Sequence, residues 1–169
     1  MIPFTIRQGE IDLADPARFI SQIRGIGEHN RCHIVCIDAE KVAGKEHVER
    51  AVMHALRSWE GGQATASNLE MEVLLYTAGT RQTGRAREFG AHAGTNRLYF
   101  CFFPPSEDAI REVGDCISYT EESWDGIDSA KQDRLMALFG IPCAEVEAVG
   151  EGRFRDLVME RIALLEVYK

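Results

Sequence analysis

The sequence lacks a long hydrophobic run, a signal-peptide pattern and a regular arrangement of cysteines. Its longest apolar run, Leu98–Phe103, is far shorter than the roughly 20 residues that a membrane-spanning helix needs. Residues 1–7 contain neither the basic region nor the apolar stretch of a signal peptide. The five cysteines form no close repeated pair, which indicates neither a disulfide framework nor a zinc ribbon. We therefore expect a cytoplasmic protein with reduced thiols and no membrane partner.

Positive charge is also scarce, since the 169-residue chain carries a net charge of −8. Nucleic-acid binding generally requires clustered lysine and arginine side chains, so the overall charge argues against a general nucleic-acid-binding protein. Residues 80–97 are the exception, because four arginines and one glutamate give them a local charge of +3 and leave −11 on the rest. A basic segment on an acidic protein is compatible with a focused and weak contact with RNA.

The common catalytic and metal-binding motifs are absent as well. Gly44-Lys45 lacks the preceding glycine of a phosphate-binding loop, and Glu46 stands where that loop has serine or threonine. His47 and His54 are seven residues apart, whereas metal-binding histidines on a helix prefer a spacing of about four, so we expect both at the surface or the edge of the core. The sequence predicts no catalytic residue, metal or cofactor. An enzyme site assembled from distant segments remains an alternative.

Strands and helices alternate along the chain. The pattern predicts strands near residues 2–11, 32–37, 97–103 and 117–120. It predicts helices near residues 16–24, 45–60, 69–76, 81–89, 107–113, 129–139 and 154–168. The clearest helix has an apolar stripe at the period of an α-helix, formed by Val48, Ala51, Val52, Ala55, Leu56 and Trp59. This order predicts a single α/β domain over residues 1–169, in which several α-helices pack on a mixed β-sheet.

Two helices carry specific boundary signals. Asp-Pro at residues 15–16 predicts a helix start, and Gly25 and Gly27 predict the end of that helix. The segment Ser67–Glu70 predicts a capping box in which Ser67 and Glu70 satisfy each other's backbone N–H groups. Gly79 is expected to end the helix that follows.

Three segments carry a resemblance to a known family. They read GKEHVERAV at Gly44–Val52, EVLLYTAGTRQ at Glu72–Gln82 and LVMERIALLEV at Leu157–Val167. The chain resembles the KEOPS subunit family that includes the human PRPK-binding protein, and is most similar to its archaeal members. The resemblance covers roughly residues 30–169, and Glu72–Gln82 is its most specific part. Glu72 is expected to act as a structural cap or ion-pair partner rather than as an acid or base.

The resemblance implies an α/β protein with no catalytic residues of its own and no small-molecule substrate. Family members bind the N-terminal lobe of the kinase-like KEOPS subunit and support threonylcarbamoylation of the adenosine beside the tRNA anticodon. Archaeal members also contact the single-stranded 3′ CCA end of tRNA. The family usually has an apolar residue where this chain has Thr83, so a base that packs at this position is expected to be held less tightly.

We predict an RNA-binding set on the basic segment, formed by Arg81, Gln82, Thr83, Arg85 and Arg97. Arg81 and Arg85 are one helical turn apart, so they can share a face. Arginine can both neutralise phosphate and stack on a base, as binding of a single-stranded tail requires. In a competing interpretation the arginines are only solvated surface charges, and the protein is a purely protein-binding regulator.

The last predicted helix is apolar around much of its circumference. Its apolar residues are Phe154, Leu157, Val158, Met159, Ile162, Leu164, Leu165, Val167 and Tyr168. A helix that is apolar on most sides must be covered on most sides. We predict that Leu157, Val158, Ile162 and Leu165 contact the kinase-like subunit. The alternative is burial of the helix within its own domain.

Overall fold

Four strands form one sheet in the computed structural model, which describes residues 1–167. The strands are β1 (Thr5–Leu13), β2 (His33–Asp38), β3 (Gly94–Phe103) and β4 (Ser118–Thr120), in the spatial order β2-β3-β1-β4. All three pairings are antiparallel. The longest pairing joins β1 to β3 along the whole of β1. Strand β3 also pairs with β2 on its other side, so it is an inner strand of the sheet.

Helices cover both faces of this sheet. They are α1 (Pro16–His29), α2 (Lys45–Glu60), α3 (Leu69–Ala78), α4 (Thr83–Arg87), α5 (Glu107–Gly114), α6 (Ser129–Phe139), α7 (Cys143–Val149) and α8 (Phe154–Val167). A short 3₁₀ turn, Ala39–Lys41, follows β2. Every predicted strand and helix is present within a few residues of its expected position, whereas α7 was missed. The predicted helix end at Tyr168 lies outside the described residues.

The α/β fold class is confirmed, but the sheet is antiparallel at each of its described pairings rather than mixed. Helix α1 joins β1 to β2, and these two strands do run parallel, as such a crossover predicts. They do not pair, because β3 inserts between them and runs antiparallel to both. The strand that separates them comes about sixty residues later in the chain, so local sequence could not reveal its position.

The central strand separates two hydrophobic cores. Residues 98–103 are fully buried, and their side chains alternate between the two faces of the sheet. The even-numbered side chains pack with α1 and α5 in the smaller core. The odd-numbered side chains belong to the larger core, which contains residues of α2, α3, α6 and α8. Both faces of the sheet are therefore covered, as a strand of nearly continuous apolar residues requires.

Helix α1 runs through both glycines that were predicted to end it, and reaches His29. Gly27 instead allows the backbone near Cys32 to approach the helix closely. A Cβ atom at this position would lie 2.5 Å from the backbone oxygen of Cys32, too close for any side chain. The glycine therefore allows the end of α1 to pack on the chain that enters β2.

The start of α3 also differs from the predicted capping box. Asn68, rather than Ser67, is the N-cap, and its Oδ1 accepts a hydrogen bond from the backbone N–H of Met71 at 2.8 Å. With the cap one residue later, Glu70 no longer occupies the position from which it could bond back to the cap. Its carboxylate lies 2.7 Å from Nδ1 of His33 instead.

Helix α2 is confirmed with the predicted bounds, Lys45–Glu60. Five residues of its predicted stripe are fully buried: Val48, Ala51, Val52, Ala55 and Leu56. Trp59 is the exception and is 36% exposed in the last turn. No described helix is long and apolar enough to span a membrane.

Candidate functional site

The turn after α3 presents most of the predicted RNA-binding residues. We call residues 79–87 the basic turn. Gly79 ends α3 in the left-handed conformation, with φ of 62°, and the Thr80 hydroxyl then accepts a hydrogen bond from the backbone N–H of Gln82 at 3.1 Å. Residues 81–85 are all exposed. The turn therefore places Arg81, Gln82, Thr83 and Arg85 together on the surface.

Buried residues hold the basic turn in place. Ala86 is fully buried, and Phe89 is buried just after α4. The backbone oxygen of Phe89 accepts a hydrogen bond from the backbone N–H of Asp38 at 2.7 Å, which connects the turn to the end of β2. Arg85 donates to the backbone oxygen of Leu138 at 3.4 Å, near the end of α6. The arginines are thus attached to a fixed part of the fold rather than to a free loop.

The charges of the basic turn are largely uncompensated. Among residues 1–167, no carboxylate lies within 4.0 Å of Arg81, Arg85 or Arg87, whereas seven other arginines have such a partner. An exposed guanidinium without a carboxylate partner is available to an external anion.

Arg97 lies in a different environment from the other four predicted residues. It projects from β3, and its Nη1 lies 3.1 Å from a carboxylate oxygen of Glu40. A carboxylate oxygen of Glu10 is 3.8 Å from its Nε, and its guanidinium lies over the ring of Trp124 at 4.6 Å. Its charge is therefore compensated by two acidic residues and an aromatic face within the protein.

The four apolar residues predicted to contact a partner are buried within this chain. Leu157, Val158, Ile162 and Leu165 are at most 8% exposed and belong to the larger core. Helix α8 contacts α2, α3, α6 and α7, which explains why it is apolar on most sides. The prediction that these four side chains form a docking surface is therefore corrected, and the alternative of burial within the domain holds.

We expect Ile162→Ala to lower the free energy of unfolding by about 3 kcal/mol, because it removes a fully buried side chain and leaves a cavity. Urea denaturation followed by circular dichroism measures this change. Glu160→Ala is the matched control, since Glu160 is an exposed residue of the same helix and its loss is expected to cost less than about 0.5 kcal/mol. Equal effects of the two substitutions would contradict the placement of α8 in the core.

His47 is fully buried, in contrast to the prediction of a surface or edge position. Its Nδ1 accepts a hydrogen bond from the backbone N–H of Ala43 at 3.0 Å, and its Nε2 donates to the backbone oxygen of Thr77 at 2.9 Å. The ring also packs against Phe139, with centroids 5.5 Å apart. The neutral imidazole therefore joins the start of α2 to the end of α3 and has a structural role.

This role predicts a pH-dependent stability. Burial, opposed by the hydrogen bond to Thr77, lowers the pKa of His47 from its ordinary 6.5 to about 4. Below about pH 6.5 the unfolded chain binds a proton that the folded chain does not, so stability falls until about pH 4. The total loss from this group is about 3 kcal/mol.

Urea denaturation of wild type and of His47→Gln at several pH values measures this contribution. Glutamine does not titrate, so its stability lacks this pH dependence. The difference between the unfolding free energies of wild type and variant should therefore narrow by about 3 kcal/mol as the pH falls from about 6.5 to about 4. A difference that does not change with pH would show that His47 is not kept neutral by burial.

Cys32 is buried and Cys36 is partly buried, and neither thiol is activated as a nucleophile. Burial raises the pKa of Cys32 to about 11 and that of Cys36 to about 12. A nucleophilic thiol needs a lowered pKa, so these thiols remain protonated at neutral pH. No three histidine, cysteine, aspartate or glutamate residues of the described chain are grouped so that they could hold a metal ion.

Sequence reasoning missed a polar cavity beside Arg97. Its volume is about 220 Å³, and it is lined by Glu40, Arg97, Trp124, Lys131 and Arg134, among others. We call it the Lys131 cavity. Its residues come from the 3₁₀ turn, β3, the segment before α6 and α6 itself. They are far apart in sequence, and no local sequence pattern brings them together.

The fold and the exposed surface thus define an α/β protein with an exposed basic turn among its described residues. A family model described as "Kinase binding protein CGI-121" matches residues 12–166. The chain belongs to this family of kinase-binding proteins. No curated protein matched the chain in a sequence search.

Proposed function

We propose that this protein is a non-catalytic, cytoplasmic subunit of a KEOPS complex, which binds the kinase-like subunit and contacts the 3′ CCA tail of tRNA. Membership of a kinase-binding family supports the first contact. The resemblance of Glu72–Gln82 to the KEOPS subunits supports the complex and its role in threonylcarbamoylation of tRNA. The charge and exposure of the basic turn support the contact with RNA.

The arrangement of Glu72–Gln82 is the observation that carries the RNA proposal. The first part of this segment, residues 72–78, is mostly buried in α3 and packs in the larger core. After Gly79 the chain reverses direction, and Arg81 and Gln82 are exposed. One continuous segment therefore fixes the base of the turn in the core and presents its polar side chains to solvent, as a site for a flexible RNA tail requires.

Contact with the kinase-like subunit requires a surface other than the buried side of α8. Helices α2 and α8 meet at the surface, where Nδ1 of His54 lies 3.1 Å from a carboxylate oxygen of Glu166. Met53 and Val167, each next to one member of this pair, are 37% and 71% exposed. We propose this junction as the kinase-binding surface, since large apolar side chains that remain exposed are typical of a protein interface.

Binding of tRNA tests the RNA part of the proposal. The purified protein should bind intact tRNA at low salt, and the affinity should fall steeply with salt because binding displaces counterions from two or three phosphates. Transfer RNA without its 3′ CCA is the control ligand, and its binding should be lost. Equal binding of both tRNAs would reject the proposed contact with the tail. Kinase binding without any tRNA binding would favour a purely protein-binding regulator, for which the net charge of −8 is the supporting observation.

A further inference from the structure

The Lys131 cavity is suited in size to a small polar group. It lies beside Arg97 of β3 and the first turn of α6. Its volume of about 220 Å³ is below the roughly 300 Å³ at which pockets for drug-sized ligands begin. The cavity therefore has room for a single charged group but not for a whole nucleotide.

Lys131 is the unusual residue of this cavity. It is only 9% exposed, and within residues 1–167 its ammonium group forms neither an ion pair nor a hydrogen bond. Lysine is almost never buried unless it is paired, because removing a charge from water without a partner costs several kcal/mol by general estimates. Lys131 thus has a largely buried stem and an unpaired ammonium that reaches the cavity, which leaves a place for an anion.

The two carboxylates of the cavity already have other partners. Glu40 lies 3.1 Å from Nη1 of Arg97 and 3.3 Å from Nη1 of Arg134, so it compensates these two arginines. Asp128 is the N-cap of α6, and its Oδ1 accepts a hydrogen bond from the backbone N–H of Lys131 at 2.8 Å. Three cations thus face two engaged carboxylates, and among the described residues no carboxylate lies within 4.0 Å of the Lys131 ammonium.

Trp124 forms part of the cavity wall with its ring. The residue is 4% exposed, and its Nε1 is too buried to face the cavity. Burial also lowers the pKa of Lys131; the charge of Glu40 opposes this effect, whereas the charges of Arg97, Arg134 and Arg155 add to it. An anion bound in the cavity would stabilise the charged lysine and accept hydrogen bonds from several directions.

We propose that the Lys131 cavity binds a phosphate group, either as free phosphate or as part of an RNA backbone. Phosphate suits the cavity because its oxygens can accept from the ammonium and the guanidinium groups that line it at the same time. This site goes beyond the proposed function, since it requires neither the kinase-like subunit nor the basic turn.

The fluorescence of Trp124 offers a direct test. The chain has two tryptophans, so Trp59→Phe leaves Trp124 as the only one. Inorganic phosphate is titrated into this variant at constant ionic strength, which is kept with chloride. A saturable change in fluorescence is expected. The further substitution Lys131→Met in the same protein keeps the apolar stem and removes the charge. It should weaken phosphate binding by about tenfold or more.

Arg24→Met is the matched control for the loss of one positive charge. Arg24 is exposed on α1, which packs on the other face of the sheet, so this substitution should leave phosphate binding unchanged. Glutamate substitutions of Arg81 and Arg85 should also leave phosphate binding unchanged. The proposal of phosphate binding in the cavity can therefore fail while the proposed tRNA contact holds, and the reverse.

A second variant covers the case in which Lys131→Met does not fold. Ala130 lines the cavity in the first turn of α6, where an aspartate is favourable for the helix. Ala130→Asp should therefore fold and weaken phosphate binding by about tenfold through repulsion. Ser129→Asp adds the same charge one residue earlier and should have a much smaller effect.

Competition identifies the source of the phosphate. A CCA trinucleotide that displaces inorganic phosphate from the cavity would assign the site to an RNA backbone, and a trinucleotide that does not compete would assign it to free phosphate. Both results support the proposal. No saturable response to either ligand, or a response that Lys131→Met and Ala130→Asp leave unchanged, would overturn it.

Discussion

Changing Arg81 and Arg85 together to glutamate is expected to abolish measurable binding of intact tRNA. Both side chains are exposed on the basic turn, and neither has a carboxylate within 4.0 Å among the described residues. Each charged hydrogen bond to a phosphate is worth about 1.5–3 kcal/mol, and the new carboxylates add repulsion. Loss of both contacts should therefore weaken binding by about a hundredfold or more. Both residues are exposed, and the contact of Arg85 with Leu138 is one exposed hydrogen bond of 3.4 Å, so the fold and the contact with the kinase-like subunit should be unchanged.

The matched control for this variant is the pair Arg24→Glu and Arg111→Glu. These exposed residues belong to α1 and α5, which pack on the opposite face of the sheet from the basic turn, and the pair changes the net charge by the same amount. Filter binding of labelled tRNA at low salt compares the three proteins. Wild-type affinity in the Arg81 and Arg85 variant would show that the basic turn is ordinary surface. Equal losses in both variants would show that only net charge matters.

Glu72→Ala is expected to lower the free energy of unfolding by about 3 kcal/mol. Glu72 is fully buried, and one carboxylate oxygen accepts hydrogen bonds from the backbone N–H groups of Thr65 at 3.0 Å and Ala66 at 2.8 Å. The other oxygen accepts from the Ser58 hydroxyl at 3.2 Å. Removal of the carboxylate takes the acceptor from the partly buried backbone N–H groups of Thr65 and Ala66, which costs more than the loss of the bonds alone. The carboxylate thus fixes the connection between α2 and α3, as its predicted role of structural cap implies.

Urea denaturation near neutral pH measures this loss, with Glu70→Ala as the control. Glu70 lies in the same turn, but its side chain is 38% exposed and its contact with His33 is an exposed one, so its removal should cost less than about 1 kcal/mol. A Glu72→Ala variant as stable as Glu70→Ala would contradict the structural role of the buried carboxylate.

Local chemistry made most of the helices predictable. The side chains of Asp15, Ser106 and Asp128 accept a backbone N–H at the helix starts that the sequence indicated. The apolar stripe of α2 predicted both its bounds and most of its buried face. Helix α7 was missed because it has only seven residues and no fully buried side chain, so it lacks a long apolar period.

Features that depend on distant contacts could not be predicted in the same way. The sheet order depends on the insertion of β3 between β1 and β2, which no local pattern records. An apolar helix such as α8 has the same sequence whether its own domain or a partner covers it.

In the candidate site, too, local features were predictable from the sequence and features that depend on distant contacts were not. Arg81, Gln82, Thr83 and Arg85 are neighbours in sequence and remain neighbours on the basic turn. Arg97 follows them closely in sequence, but β3 carries it to Glu40 and Trp124 instead. The Lys131 cavity forms from distant segments, and its unpaired lysine becomes evident only when burial and contacts are known.

The central claim is that this chain is the kinase-binding subunit of a KEOPS complex, and a titration with the purified kinase-like subunit tests it most directly. Isothermal titration calorimetry measures the affinity and the stoichiometry of the pair. Replacing the exposed Val167 at the α2–α8 junction by glutamate provides a surface variant, because a charge there should weaken docking without disturbing the core. We predict a saturable one-to-one complex that this variant weakens by about tenfold or more. The absence of a complex with the kinase-like subunit would contradict the account.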